Sequence, residues 1–235
     1  KGLIVEVSIN NCEYFEMSID STNYMSHIPA YYYDYVPQEG DSIKIRVTDS
    51  NGKFATIYGE TVIPPSPIIE YIEYYKDIRN YSYSRDSVEV DSVAVVTYKI
   101  SDKSGPNFYH ISITNKGTPF SPAIEYIDPI FHNSKYNIFK DTTFDGTSYY
   151  FTIEVRLHRF SDNFISATLH SITSELFEYL ISMETAEKNE DDIFSEPYHI
   201  FSNLSNGKGI FGSYSSTSME IKIPVHDIYQ YVKNY

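Results

Sequence analysis

Apolar and polar residues alternate in short runs along most of this chain, and one segment alone changes to a helical spacing. In the first quarter the runs are Leu3-Ile4-Val5-Glu6-Val7, Tyr14-Phe15-Glu16-Met17, Ile43-Lys44-Ile45-Arg46-Val47 and Phe54-Ala55-Thr56-Ile57. Gln38-Glu39-Gly40-Asp41 predicts a turn before the third, and Asp49-Ser50-Asn51-Gly52 a hairpin before the fourth, because Asn-Gly suits the positive φ of such turns. Pro64-Pro65-Ser66-Pro67 then fixes φ at three positions and removes three backbone donors, which ends the sheet. The pattern predicts an immunoglobulin-like β-sandwich module over residues 1–66, incomplete at its start.

Further strands are predicted at Ile68–Ile72, Ser92–Tyr98, Phe108–Ile113, Tyr149–Val155 and Phe164–Leu169, with Ser104-Gly105-Pro106-Asn107 turning between the second and third. Residues 67–235 therefore read as a larger antiparallel β-sandwich or barrel. Its one departure is a helix near 173–188, where Leu176, Leu180 and Met183 form a stripe flanked by Phe177 and Ile181, and Thr173 or Ser174 can cap the first turn. The polar run Glu187–Asp192 reads as a solvated loop returning the chain to the sheet.

Composition agrees with a β fold: 24 Tyr and 14 Phe with no Trp suit half-buried pleated surfaces. A formal net charge of −14 disfavours nucleic acid and anionic lipid as partners. A single cysteine, Cys12, excludes an intramolecular disulfide. No apolar run reaches the roughly eighteen residues of a membrane-spanning helix. Lys1 does not read as the biological start, and Ser8-Ile9-Asn10-Asn11 before Cys12 is not a lipobox, so an anchor is expected upstream of Lys1.

Catalytic spacing is not found. The seven histidines, at 27, 110, 132, 158, 170, 199 and 226, form no HxH or HExxH pair. Asp49-Ser50-Asn51-Gly52 with Glu60 has its glycine at the wrong position for a calcium loop, and Asn206-Gly207-Lys208-Gly209 lacks both the Walker spacing and a following helix. The serines of Gly212-Ser213-Tyr214-Ser215-Ser216 have no evident base, and Glu125 with Asp128, or Asp192 with Glu196, are unplaced carboxylate pairs. The expectation is a non-enzymatic protein with no cofactor, no metal and no assigned site residue. Tyr31-Tyr32-Tyr33-Asp34-Tyr35 is either an edge strand packed on its own module or a contact surface for protein or glycan.

The stretch from Phe194 to Ile223 joins Glu196-Pro197, a Ser202-Asn203 turn, the glycine-spaced Asn206-Gly207-Lys208-Gly209-Ile210-Phe211-Gly212 and an alternating strand. It closely resembles the C-terminal hallmark of the Bacteroidota lipoproteins known as domain of unknown function 4249. Three more blocks resemble the same family: Gly40–Lys53 with the Ile63-Pro64-Pro65 exit, Ser101–Tyr109, and Ile138–Gly146. Gly146, Gly207, Gly209 and Gly212 sit where a turn or a close backbone approach is expected. The resemblance implies a lipid-anchored protein of the outer membrane or cell surface, or of its periplasmic face, partnered with a TonB-dependent transporter. A free-standing glycan- or peptide-binding module is the alternative.

Overall fold

The computed structural model describes residues 2–20, 30–84, 87–115, 124–131, 136–157, 162–190 and 198–224. Its elements are β1 (Leu3–Ile9), β2 (Phe15–Glu16), β3 (Ser18–Asp20), β4 (Ala30–Tyr32), β5 (Ser42–Asp49), β6 (Ile57–Val62), β7 (Ile68–Ser84), β8 (Ser87–Ser101), β9 (Phe108–Asn115) and β10 (Ile124–Glu125). A 3-10 turn at Pro129–Phe131, β11 (Ile138–Lys140), β12 (Ser148–Arg156), β13 (Asn163–Ile172), α1 (Ser174–Glu190) and β14 (Tyr214–Ile223) complete the order. The fold is mainly β, as the alternating pattern predicts, and of the sandwich or barrel left open by that pattern the described residues form sandwich-like sheets with one helix and no closed barrel.

Two compact units divide the chain. One comprises Lys1–Pro65 with Ile172–Ser215, the other Ser66–Ser171 with Ser216–Tyr235. The chain leaves the first unit within the proline segment, and α1 with the residues after it, which a division at 66/67 groups with the larger domain, lies in the first unit.

In the first unit, the sheet order is β2-β1-β5-β6. Period-two alternation puts Val5 and Val7 of β1 opposite Val47 and Ile45 of β5, and Val5, Val7 and Ile43 are buried. A separate two-stranded ribbon pairs β3 with β4. In the second unit, two four-stranded sheets, ordered β10-β12-β8-β7 and β11-β9-β13-β14, share one core. Ala94, Val96, Tyr98 and Ile100 of β8 and Phe151 and Ile153 of β12 meet Ile111 of β9 and Ile165, Ala167 and Leu169 of β13 there. Alternate residues on each strand supply that core, so a one-residue slip would turn the whole set outward.

Several elements differ from expectation. β6 begins at Ile57, and Phe54, expected in a strand, is 74% exposed in the connection. The predicted Tyr14–Met17 strand shrinks to Phe15–Glu16. β7 and β8 run 17 and 15 residues, far beyond the apolar runs that announced them, because their pairing continues through polar residues to Ser84↔Ser87. A bulge between Ile69 and Tyr71 inserts Glu70. α1 starts where predicted, with Thr173 Oγ accepting from the Leu176 N–H at 3.4 Å, but it continues through Glu190 and absorbs most of the expected acidic loop. Its most buried side chains are Phe177, Ser182 and Glu184, not the Leu176–Leu180–Met183 stripe. Asp191, Asp192 and the Glu196-Pro197 exit lie outside the described residues.

Candidate functional site

The densest cluster of titratable groups among the described residues joins two of the blocks singled out in the sequence. Asp102 follows β8, while Asp141 and Asp145 flank the turn between β11 and β12, and one carboxylate oxygen from each lies within 4.8 Å of the others. The two turns exchange hydrogen bonds. Asp102 accepts from the Gly146 N–H at 2.8 Å, and Asp145 accepts from the Gly105 N–H at 2.8 Å. Asp141 accepts from the Asn107 N–H at 2.7 Å and its side-chain amide at 3.2 Å, and that same amide donates to the carbonyls of Lys103 and Gly105. The Tyr109 hydroxyl donates to the second oxygen of Asp102. Gly146 sits at φ +68, and a Cβ there would fall 2.6 Å from Ser104 Oγ, so the turn needs glycine twice over.

Burial pushes the Asp102 carboxyl above the ordinary range, opposed by the Tyr109 hydroxyl and the Gly146 N–H, and reinforced by the charges of Asp141 and Asp145. Burial and then the Asp102 carboxylate push the Tyr109 hydroxyl up in turn. Three carboxylates suit a hard cation that takes oxygen ligands. Here each already accepts from neutral turn donors, so the arrangement works as a staple between turns about forty residues apart, as the Asp102–Gly146 bond illustrates. Both blocks are legible as turns in the sequence, but their pairing is not. The signal is an aspartate and a glycine in each, since the carboxylate of each turn accepts from the glycine N–H of the other.

Of the stretch from Phe194 to Ile223, residues 198–215 fall in the first unit and residues 216–223, the bulk of β14, in the second. Asn203 is a double clasp, donating to Phe211 O and accepting from Phe211 N–H, both at 2.9 Å. Ser202 Oγ accepts from the Gly209 and Leu204 N–H groups. Ser205 bonds the main chain of Tyr58 on β6, and Asn206 donates to Thr56 O at 3.0 Å. Leu204 and Phe211 close over Gly59, where a Cβ would stand 2.7 and 2.9 Å from their side chains, and a Cβ at Gly212 would stand 2.9 Å from Leu176 Cβ. The segment thus covers the buried face of the β2-β1-β5-β6 sheet. Ser213 and Ser215 donate to Val62 O and Pro65 O, which gives these serines structural partners.

Other sequence candidates separate. Asp49 accepts from the Asn51 and Lys53 N–H groups, whereas Glu60 faces Lys44 and Ser42, so the two are not brought together as ligands. Asp128 accepts from the Ile130 N–H and from the Tyr149 hydroxyl, which burial followed by that carboxylate pushes up to about 12. His110 and His170, apart in sequence, stack with ring centroids 5.0 Å apart, and burial lowers both below the ordinary histidine value. His199 is exposed, and His27, His132, His158 and His226 lie outside the described residues.

The tyrosine run divides. Tyr31 and Tyr32 pair with Ile19 and Ser18, Tyr33 stacks on Phe15 at 5.8 Å, and the Tyr35 hydroxyl donates to Asp41 at 2.6 Å. A second aromatic surface, unmarked by any run in the sequence, lies on the outer face of β7, β8 and β12. There Tyr71, Lys99 and Tyr150 stand in one cross-strand row, with Tyr71 37% and Tyr150 50% exposed and their rings 6.1 Å apart. The next row is Glu73, Thr97 and Thr152, and Tyr75, 58% exposed, opens the one after. Lys99 is ion-paired with Glu70, which the bulge brings to it and which also accepts from Ser148.

A family model described as Domain of unknown function (DUF4249) matches residues 4–220. No curated protein and no solved structure matches the chain.

Proposed function

We propose, from the premise that the chain belongs to the DUF4249 family, that it is a non-enzymatic accessory protein of the outer membrane, held by a lipid anchor, that binds a TonB-dependent transporter. The supporting observation is the exposed Tyr71–Tyr150 row with Tyr75 beyond it, on an antiparallel sheet. Tyrosine gives large contact area at small entropic cost and is enriched at protein interfaces. The test is cross-linking and affinity purification of the full-length protein from native outer membranes. Recovery of a TonB-dependent transporter, reduced in a Tyr71→Ala/Tyr150→Ala variant that folds normally, supports the reading. Consistent absence of such a transporter refutes it.

A second reading, a glycan- or peptide-binding module, draws on the same row. Tyrosine rings beside the Thr97 and Thr152 hydroxyls, with the lysine charge balanced by Glu70, suit an uncharged polyhydroxylated ligand. Retention of the protein on immobilised polysaccharide, lost on Tyr150→Ala, would favour it over the first.

A further inference from the structure

The chain holds two Asn-Gly pairs, Asn51-Gly52 and Asn206-Gly207, and the fold treats them differently. We propose that Asn51 is a site of spontaneous deamidation and isoaspartate formation in the folded protein, and that Asn206 is protected by the first unit's packing.

The reaction needs only water and a base. Hydroxide removes the proton from the Gly52 backbone N–H, and that nitrogen forms a bond to Asn51 Cγ. The Cγ–Nδ2 bond breaks and ammonia leaves, which closes a five-membered succinimide. Water then opens the ring at one of two carbonyls. Attack at Cγ restores the original main chain as aspartate, while attack at the main-chain carbon routes the chain through the side chain as isoaspartate. No oxidant or reductant enters.

Closure requires an unhindered glycine nitrogen and freedom for the asparagine to rotate. Asn51 and Gly52 are both exposed, and a Cβ added at Gly52 would meet nothing within 4 Å. The Asn51 amide donates one long hydrogen bond, 3.3 Å to Asp49 Oδ1, and its nitrogen lies beside Gly2, which has no side chain to hold it. The Gly52 N–H donates to Asp49 O at 3.0 Å, a bond at an exposed turn that local opening breaks cheaply. Asn206 is held in the left-handed region at φ 57, with its amide donating to Thr56 O at 3.0 Å. Gly207 lies against Ile57, with three side-chain carbons 3.0–3.3 Å from where a Cβ would stand. Rotation at Asn206 must break the bond to Thr56 and lift the segment from β6.

Conversion at Asn51 adds a negative charge beside Asp49, whose carboxyl is held below the ordinary range chiefly by the Asn51 N–H. The isoaspartate form also lengthens the main chain in a turn that belongs to the family-like Gly40–Lys53 block. The modification therefore acts on an architectural element.

The full chain is incubated in mildly alkaline buffer made with heavy-oxygen water, digested with trypsin, and the peptides Val47–Lys53 and Asn189–Lys208 are fragmented in a mass spectrometer. Heavy oxygen and isoaspartate should accumulate at Asn51 about fivefold faster than at Asn206, the ratio set by one net hydrogen bond of about 1 kcal/mol. Asn51→Gln should abolish the signal in the first peptide, and unfolding in urea should bring the two sites to similar rates. Absence of heavy oxygen at Asn51, equal or faster conversion at Asn206 in the folded chain, or a preference that persists in urea would overturn the proposal.

Discussion

Substituting Gly59 by alanine measures how tightly the C-terminal hallmark seals the first unit. Gly59 lies on β6 opposite Ile45, in the row that continues to Val7. The added Cβ would stand 2.7 Å from Leu204 Cδ2, 2.9 Å from Phe211 Cβ and 3.1 Å from Ile45 Cγ2. Leu204 can swing its methyl aside, but Phe211 Cβ is tied to a main chain that Asn203 clasps on both sides. Overpacking of this kind costs about 1–3 kcal/mol, and the reduced freedom of the unfolded chain returns about 0.4–1 kcal/mol. Taking the middle of each range, the net expectation is a loss of about 1.3 kcal/mol, read as an earlier urea midpoint with unchanged slope. Leu204→Ala removes one of the two clashing groups, so a double-mutant cycle should show Gly59→Ala costing less in the Leu204→Ala background, by at least about 0.5 kcal/mol. A neutral or stabilising Gly59→Ala, or strict additivity in the cycle, would refute the claim that this segment packs directly on the sheet.

Tyr98 is fully buried and stacked on Phe151, with its hydroxyl lacking a hydrogen-bond partner among the described residues, so Tyr98→Phe should hold stability or raise it by about 1 kcal/mol; calorimetric loss of similar size would contradict that. Asn107→Ala removes the side-chain donor shared by Asp141 and the Lys103 and Gly105 carbonyls, and should cost about 1–3 kcal/mol in urea unfolding; a neutral result would show the staple to be dispensable. The Tyr35 hydroxyl is the leading cause of the lowered Asp41 value, followed by Asn10 and the Gln38 N–H. A depressed folded value stabilises above the unfolded carboxylate value and is lost as pH falls through the folded one, so Tyr35→Phe should be destabilised at neutral pH and converge with the parent in acid. A difference constant across that range would remove Asp41 as its cause.

What the sequence makes legible follows the physics of each element. Period two identified the core strands because one face of each is buried, and the proline segment marked the end of the first sheet because three donors vanish there. The lengths of β7 and β8 were hidden, since Lys76, Asp77 and Arg79 break the apolar alternation, while Arg79 pairs with Asp77 on its own strand and with Glu154 of β12. An ion pair from a half-exposed arginine to a buried glutamate on another strand sustains the sheet without a hydrophobic signature. The Tyr71–Lys99–Tyr150 row was likewise invisible, because its members come from three strands and only register aligns them.

The blocks that carry the family resemblance resolve into two clasps. Ser101–Tyr109 and Ile138–Gly146 exchange aspartate acceptors for glycine N–H donors in the second unit, and Ser202–Ser213 returns about 150 residues later to cover the sheet that contains Gly59 and Thr61. Both clasps need glycine at close approaches and asparagine or aspartate bonded to main chain. A residue committed to such a clasp cannot be changed to suit a ligand without loosening the fold. The surface of β7, β8 and β12 carries no such commitment on its exposed rings, so Tyr71, Tyr75 and Tyr150 can vary with a partner while the clasps stay fixed. On the proposed transporter-binding reading, partner selectivity in relatives should follow the identity of these outward positions, and exchanging them between two relatives should exchange what each protein retains from native membranes.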